Sequence, residues 1–149
     1  MLANTIWVED MFHDMLSKFS DIRSRAIRFG GEAAVILGKE IQASKAVQEV
    51  FDAERDDARF GDFYSGKLQA MLNVRADAIH VAQIWAVIVL FLRYKRSQLE
   101  RWRHLKTWLL IIQQCLNNKD VEVKIQAVRA WNQLVFAVRP DEKLSLIHI

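Results

Sequence analysis

Apolar side chains recur along this 149-residue chain at helical spacing. Val8, Met11, Phe12, Met15, Leu16 and Phe19 are three, one, three, one and three positions apart, which predicts a helix with one buried stripe. Ser20 or Asp21 then serves as the cap of a second helix, whose apolar face would be Ile22, Ala26, Phe29 and Ala33. Gly30 and Gly31 each weaken that helix by about 1 kcal/mol relative to Ala, but they allow a neighbouring helix to come close. Gly38 predicts its stop.

Further on, Ile41, Val47, Val50 and Phe51 predict a short amphipathic helix over 40–53, and 52–62, with five carboxylates against Arg55 and Arg59, reads as a solvated loop or helix end. Phe63, Leu68, Met71 and Leu72 suggest a fourth helix. The stretch from Ala76 to Arg93 is apolar nearly all round, so its helix needs neighbours on several sides. Leu99, Trp102, Leu105, Trp108, Ile112 and Cys115 give a sixth helix, closed by Asn117-Asn118. Asp120 opens a seventh on Val123, Ala127, Ala130, Leu134 and Val138, and Pro140 ends it.

Two of these segments match. Ile22-Arg23-x-x-Ala26-x-x-Phe29-x-x-x-Ala33 and Val123-Lys124-x-x-Ala127-x-x-Ala130-x-x-x-Leu134 align at an offset of 101, Ile22 onto Val123. Each follows an amphipathic helix and a polar turn carrying Asp. This is the pattern of helical hairpins that stack because one helix cannot cover its own stripe. The expected fold class is therefore all-α, a HEAT/armadillo-like helical-hairpin solenoid.

Composition agrees with helices. The chain is 52% apolar and 26% charged with mean hydropathy near zero, which excludes wholesale disorder. Five Gly and one Pro leave too little turn punctuation for a sandwich of short strands. The longest apolar run, Val81 to Leu92, is shorter than the roughly 20 residues a bilayer span needs, so no membrane partner is expected. The start, MLANTIWVEDMF, is acidic where a secretory signal would be basic. Leu144 to Ile149, LSLIHI, breaks the preceding pattern and matches the translation of a transposase-type sequencing adapter. Residues 1–143 are therefore expected to be a fragment of one helical-repeat domain, and 144–149 a library scar.

Catalytic chemistry finds little support in the residues. Gly61-Asp62-Phe63-Tyr64-Ser65-Gly66-Lys67-Leu68 has the skeleton of a phosphate-binding loop, but Leu68 replaces the hydroxyl that would hold magnesium. His13, His80 and His104 share no ligand spacing with one another or with the lone Cys115, so no metal or cofactor is expected. Arg25-Ala26-Ile27-Arg28-Phe29 fits a loose phosphatase-docking spacing that binds as an extended strand, whereas these residues read as helix. Trp102, Trp108 and Trp131 sit on apolar faces and read as packing groups. No small-molecule substrate is expected, and the chain reads as non-enzymatic.

The net charge of +3 is mild, so clustering matters more than the total. Arg93, Lys95, Arg96, Arg101, Arg103 and Lys106 oppose Glu100 alone, and Arg23, Arg25 and Arg28 form a second group. Arg23 and Lys124 occupy equivalent positions in the matched segments. Two roles are open for such residues: a basic stripe facing a phosphate backbone, or a ladder paired with Asp of the neighbouring hairpin. The candidate nucleic-acid contacts are Arg23, Arg25, Arg28, Arg101, Arg103, Lys106 and Lys124.

The blocks SKFSDIRSRAIRFGGEAAVILGKE, SKAVQEVF, QIWAVIVLFLR, LERWRHLKTWLLIIQQCLN and VKIQAVRAWNQLVFAVRP, in this order and spacing, resemble the N-terminal helical-repeat domain of the fungal Rap-interacting factor family. The resemblance spans most of residues 8–143. It implies a large nuclear protein of the chromosome and its telomeric region that limits telomere elongation, delays replication-origin firing and acts at broken DNA ends. The implied partners are telomeric or duplex DNA, chromatin proteins and the rest of the full-length protein. The resemblance also implies DNA contact through basic surface, without a residue signature that transfers position by position. Phosphatase recruitment belongs to short motifs elsewhere in such proteins. The competing expectation is a HEAT-type protein–protein adaptor that does not touch DNA.

Overall fold

A computed structural model describes residues 2–137. The expectations about Val138, Pro140 and the 144–149 scar fall outside the described residues. The chain is all-α, with eight helices among the described residues: α1 Leu2–Met15, α2 Ser20–Leu37, α3 Ile41–Asp52, α4 Phe60–Met71, α5 Arg75–Phe91, α6 Arg96–Glu100, α7 Leu105–Leu116 and α8 Val121–Ala137. None of them is long and apolar enough to cross a membrane. The only strands described are a two-residue antiparallel pair, β1 Glu54–Arg55 and β2 Ala58–Arg59, with Glu54 opposite Arg59.

That hairpin replaces the expected loop. Its turn places Asp56 and Asp57 at φ of 52° and 67°, the positive values that a tight two-residue hairpin requires and that Asp tolerates better than most residues. Arg55 then pairs with Glu9 of α1 at 2.8 Å, tying the hairpin back to the body of the protein.

As its composition predicts, α5 is covered on several sides. It carries ten buried residues and contacts α2, α3, α4, α7 and α8. On one side of it an aromatic cluster gathers around Phe51, whose ring meets Phe12 at 5.5 Å, Tyr64 at 5.6 Å and Trp108 at 5.7 Å. Burying one such ring contributes about 1.5–3 kcal/mol. Tyr64 donates to the Phe12 carbonyl at 3.0 Å, whereas the Trp102 indole N–H is buried without a hydrogen-bond partner among the described residues. Trp85 and Trp108 donate reciprocally, each indole N–H to the other's carbonyl, at 2.6 and 3.3 Å.

Three expectations need correction. Phe19 is exposed and leaves the α1 stripe, because α1 ends at Met15 and Phe19 lies at the N-terminal boundary of α2. The fully buried residues of α2 are Arg23, Gly30 and Ala34; of the predicted Ile22-Ala26-Phe29-Ala33 stripe, Ala26 and Ala33 pack half-buried against the core, while Ile22 and Phe29 face outward, Phe29 56% exposed. Gly30 decides this: a Cβ there would lie 3.0 Å from Val87 Cγ1 and 3.3 Å from Met11 Sδ, so α1 and α5 approach α2 along the glycine. Burial on α2 therefore repeats on α8 at an offset of 100, with Arg23, Gly30 and Ala34 matching Val123, Ala130 and Leu134. Arg23 and Lys124 are not equivalent.

The third correction concerns 96–116, which is two helices. Trp102 and His104 both turn inward, their rings 5.6 and 5.7 Å from Phe51. In one continuous helix those residues would point about 200° apart, so the chain leaves helical form between Arg101 and His104. Asn117 closes α7 as predicted, and Asp120 caps α8 by accepting from the Glu122 amide at 2.8 Å.

Candidate nucleic-acid interface

The basic residues singled out from the sequence separate into three situations. Arg23 is 3% exposed. Its Nε donates to His80 Nδ1 at 2.8 Å, its Nη1 donates to the Ser17 carbonyl at 2.9 Å and lies 3.2 Å from Asp77 Oδ1. Arg23 therefore joins α2 to α5 and presents nothing to a phosphate. Of the two roles left open by the sequence, pairing with a neighbouring helix describes Arg23.

Arg25 and Arg28 lie one turn apart on the exposed side of α2, beside Asp21 and Ser24 on one surface depression. Neither pairs with a carboxylate among the described residues. Arg101 and Arg103 lie in the break between α6 and α7, and Lys106 in the first turn of α7. All three are exposed, but they do not share a helix face. Between Arg103 and Lys106, buried His104 stands 3.3 Å from Asp52 Oδ1 and 3.7 Å from Asp62 Oδ1. Those carboxylates lower the positive potential there. Lys124 is exposed on α8.

Two other members of the basic runs are engaged within the fold. Arg93 donates to the carbonyls of Ala34, Leu90 and Val35 at 2.6, 2.7 and 3.0 Å, closing the C-terminal ends of α2 and α5 together. Burial pulls its pKa below the ordinary arginine value. Gly38 owes its place to this guanidinium, since a Cβ would collide with Arg93 and with the Leu90 carbonyl. Arg96 pairs with Glu100.

Arg129 is an exposed cation absent from the sequence reading. It lines an open groove of about 430 Å³ above α5, walled by α2 and α8, with Arg28 on the opposite wall. Trp131, read as a packing group, is 39% exposed; Trp85, Trp102 and Trp108 are buried. Gly61 and Gly66 both lie within α4, and a Cβ on Gly61 would meet the His104 ring at 2.5 Å, so that segment forms a helix and not a phosphate loop. Burial pushes the Cys115 thiol up to about 12, which keeps it protonated and unreactive at neutral pH.

The Arg23 site is also sensitive to protons. His80 has its pKa lowered, first by burial and then by the Arg23 charge, against a smaller upward pull from Asp77. The folded state needs the Nδ1 lone pair free to accept from Arg23, so it holds fewer protons than the unfolded chain. This contribution is complete above the ordinary value of 6.5 and declines as pH falls through that value toward the lowered one. Urea midpoints measured at about pH 7.5 and about pH 5.5 should show a loss at the lower pH that shrinks in His80→Gln, whose amide still offers an acceptor. An unchanged difference would remove His80 from the account.

Residues 1–147 match the family model described as Rap1-interacting factor 1 N terminal. Among curated proteins, the telomere length regulator protein rif1 of Schizosaccharomyces pombe is 22% identical over 139 residues, covering 93% of this chain and 10% of that protein. The chain thus spans about a tenth of the length of the curated relative it matches. No solved structure matches it.

Proposed function

The chain belongs to the Rap1-interacting factor 1 N-terminal family, and from that premise we propose that it is a non-catalytic piece of a nuclear, chromosome-bound scaffold regulating telomere length, with further parts in replication timing and DNA-end processing. Its helices form a HEAT/armadillo-like stack in which the hairpins α1–α2, α4–α5 and α7–α8 pile side by side. Two observations support the stack: α2 and α8 both bury a face against α5, and the burial pattern recurs after 100 residues.

Its contact with DNA is through exposed cations, Arg25 and Arg28 foremost, with Arg101, Arg103, Lys106 and Lys124 as further contacts. The observation that carries this is the pair of neighbouring guanidiniums on α2 without a carboxylate partner among the described residues. Arg23 leaves the set because it is buried. Duplex-DNA affinity should fall with salt at a slope of about −0.9 per phosphate neutralised. Arg25→Glu with Arg28→Glu should weaken binding, as should Arg101→Glu, Arg103→Glu and Lys106→Glu together. Titrations over a salt series check this, and equal affinity of the Arg25/Arg28 variant and the parent would reject it.

A protein–protein adaptor without DNA contact is the second reading. The apolar floor of the groove over α5 favours it, and salt-independent absence of DNA binding would select it.

A further inference from the structure

The outer surface of α8 is apolar where a solvated helix face is ordinarily polar. Val121, Ile125, Val128 and Val135 are all exposed, and with Asn132 they recur at intervals of four, three, four and three residues. That is the heptad spacing of a helix that lies along another helix. The stripe stands about 150° around α8 from the buried face of Val123, Ala127, Ala130 and Leu134. One apolar face of α8 is thus used by the fold, and a second has no neighbour among the described residues.

Trp131 and Phe136 flank the outer stripe, and exposure across its apolar side chains runs from 36% at Val135 to 73% at Phe136. Together they present about 600 Å², the upper end for the largest apolar patch of a typical monomer. Two such surfaces laid face to face would remove about 1,200 Å² from water, the lower bound for a specific protein interface.

The charges beside the stripe identify the occupant. Glu122 and Arg129 border one edge, Lys124 and Trp131 the other. Glu122 accepts from Gln126 of its own helix at 2.9 Å and pairs with no cation among the described residues, and Arg129 pairs with no carboxylate there. In two antiparallel copies of α8, like edges meet. With Ile125 opposite Val128 of the second copy, Val121 falls opposite Asn132 and Glu122 falls beside Arg129, each pairing occurring twice by symmetry. On the other edge the Lys124 ammonium reaches the Trp131 ring of the second copy and keeps its charge at the rim. A parallel pair would set Lys124 against Arg129 instead. The surface therefore complements itself in the antiparallel orientation. Asn132 weakens the contact but, as a single polar residue in the seam, fixes its register.

We propose that α8 is a self-association surface, through which two copies of this chain pair as antiparallel helices about a two-fold axis. Sedimentation equilibrium of the full chain over about 1–100 µM should show a monomer–dimer equilibrium. Val128→Asp alters a side chain that faces water in the single chain, so it should stay folded by circular dichroism and sediment as a monomer. Arg129→Glu places like charges together across the two-fold axis and should weaken the dimer about tenfold or more, and Glu122→Arg combined with Arg129→Glu should restore it. A parent that stays monomeric would overturn the proposal and leave the stripe to a different polypeptide. So would a dimer that persists in folded Val128→Asp, a double variant no tighter than Arg129→Glu alone, or a dimer that Arg129→Glu tightens, as a parallel pair requires.

Discussion

Trp108→Ala should cost about 3–5 kcal/mol, a large part of the 5–15 kcal/mol that holds a typical domain folded. The side chain is fully buried and stands edge-on to Phe51 and, at 5.4 Å, to Trp102. Truncation opens a cavity between three aromatic rings that belong to α3, α7 and the segment before α7. It also removes the N–H that reaches the Trp85 carbonyl on α5. Trp108→Phe keeps most of the ring volume and loses that donor, so it should cost about 1–2 kcal/mol. Urea midpoints of the two variants check the ordering. A loss below about 1 kcal/mol for Trp108→Ala would mean that the aromatic cluster is not the common support of α3, α5 and α7.

The sequence made the helices legible where apolar spacing had only one reading. On α8 the predicted Val123, Ala127, Ala130 and Leu134 are buried as their periodicity requires, and α5, apolar nearly all round, is covered on several sides. On α2 two stripes coexist. The one richer in large apolar residues, with Ile22 and Phe29, faces outward, while a stripe containing Arg and Gly faces in. Spacing cannot rank these two, because what decides is tertiary: Gly30 admits α1 and α5, and Asp77 and His80 stand ready on α5 to receive Arg23. The break before α7 was hidden for a related reason. Trp102 and His104 both have partners in the Phe51 cluster, and only the position of that cluster makes unwinding favourable. At 52–62 the turn signal was present in Asp56-Asp57 but lacked the glycine that usually announces a hairpin.

The candidate interface was legible as charge and illegible as surface. Exposed Arg25 and Arg28 needed only their spacing. Arg93 looked like a free cation in a basic run, yet it serves the carbonyl ends of two helices. Arg129 looked isolated in the sequence, and only the passage of α2 and α8 on either side of α5 brings it opposite Arg28. Nearness across 100 residues of chain is a property of the tertiary packing, which no local pattern contains.

Asp77→Ala should destabilise the chain more than Arg23→Met does, although both remove the same ion pair. Arg23 is almost wholly buried, whereas the Asp77 side chain is 34% exposed. Deleting Asp77 leaves a desolvated guanidinium compensated only by the Ser17 carbonyl and the neutral His80 nitrogen, at a cost of about 3 kcal/mol. Deleting Arg23 leaves a carboxylate that water already reaches, and the Met side chain refills the space between α2 and α5, so the expected cost is about 1–2 kcal/mol. The Arg23→Met/Asp77→Leu double variant should recover part of the Asp77→Ala loss, since it leaves no buried charge at all. Urea denaturation of the three variants at neutral pH gives the ordering. If Arg23→Met were the more damaging change, the cation would be acting through its two hydrogen bonds, to the Ser17 carbonyl and to His80, as a clamp between α2 and α5, and the charge balance argued for this site would be wrong.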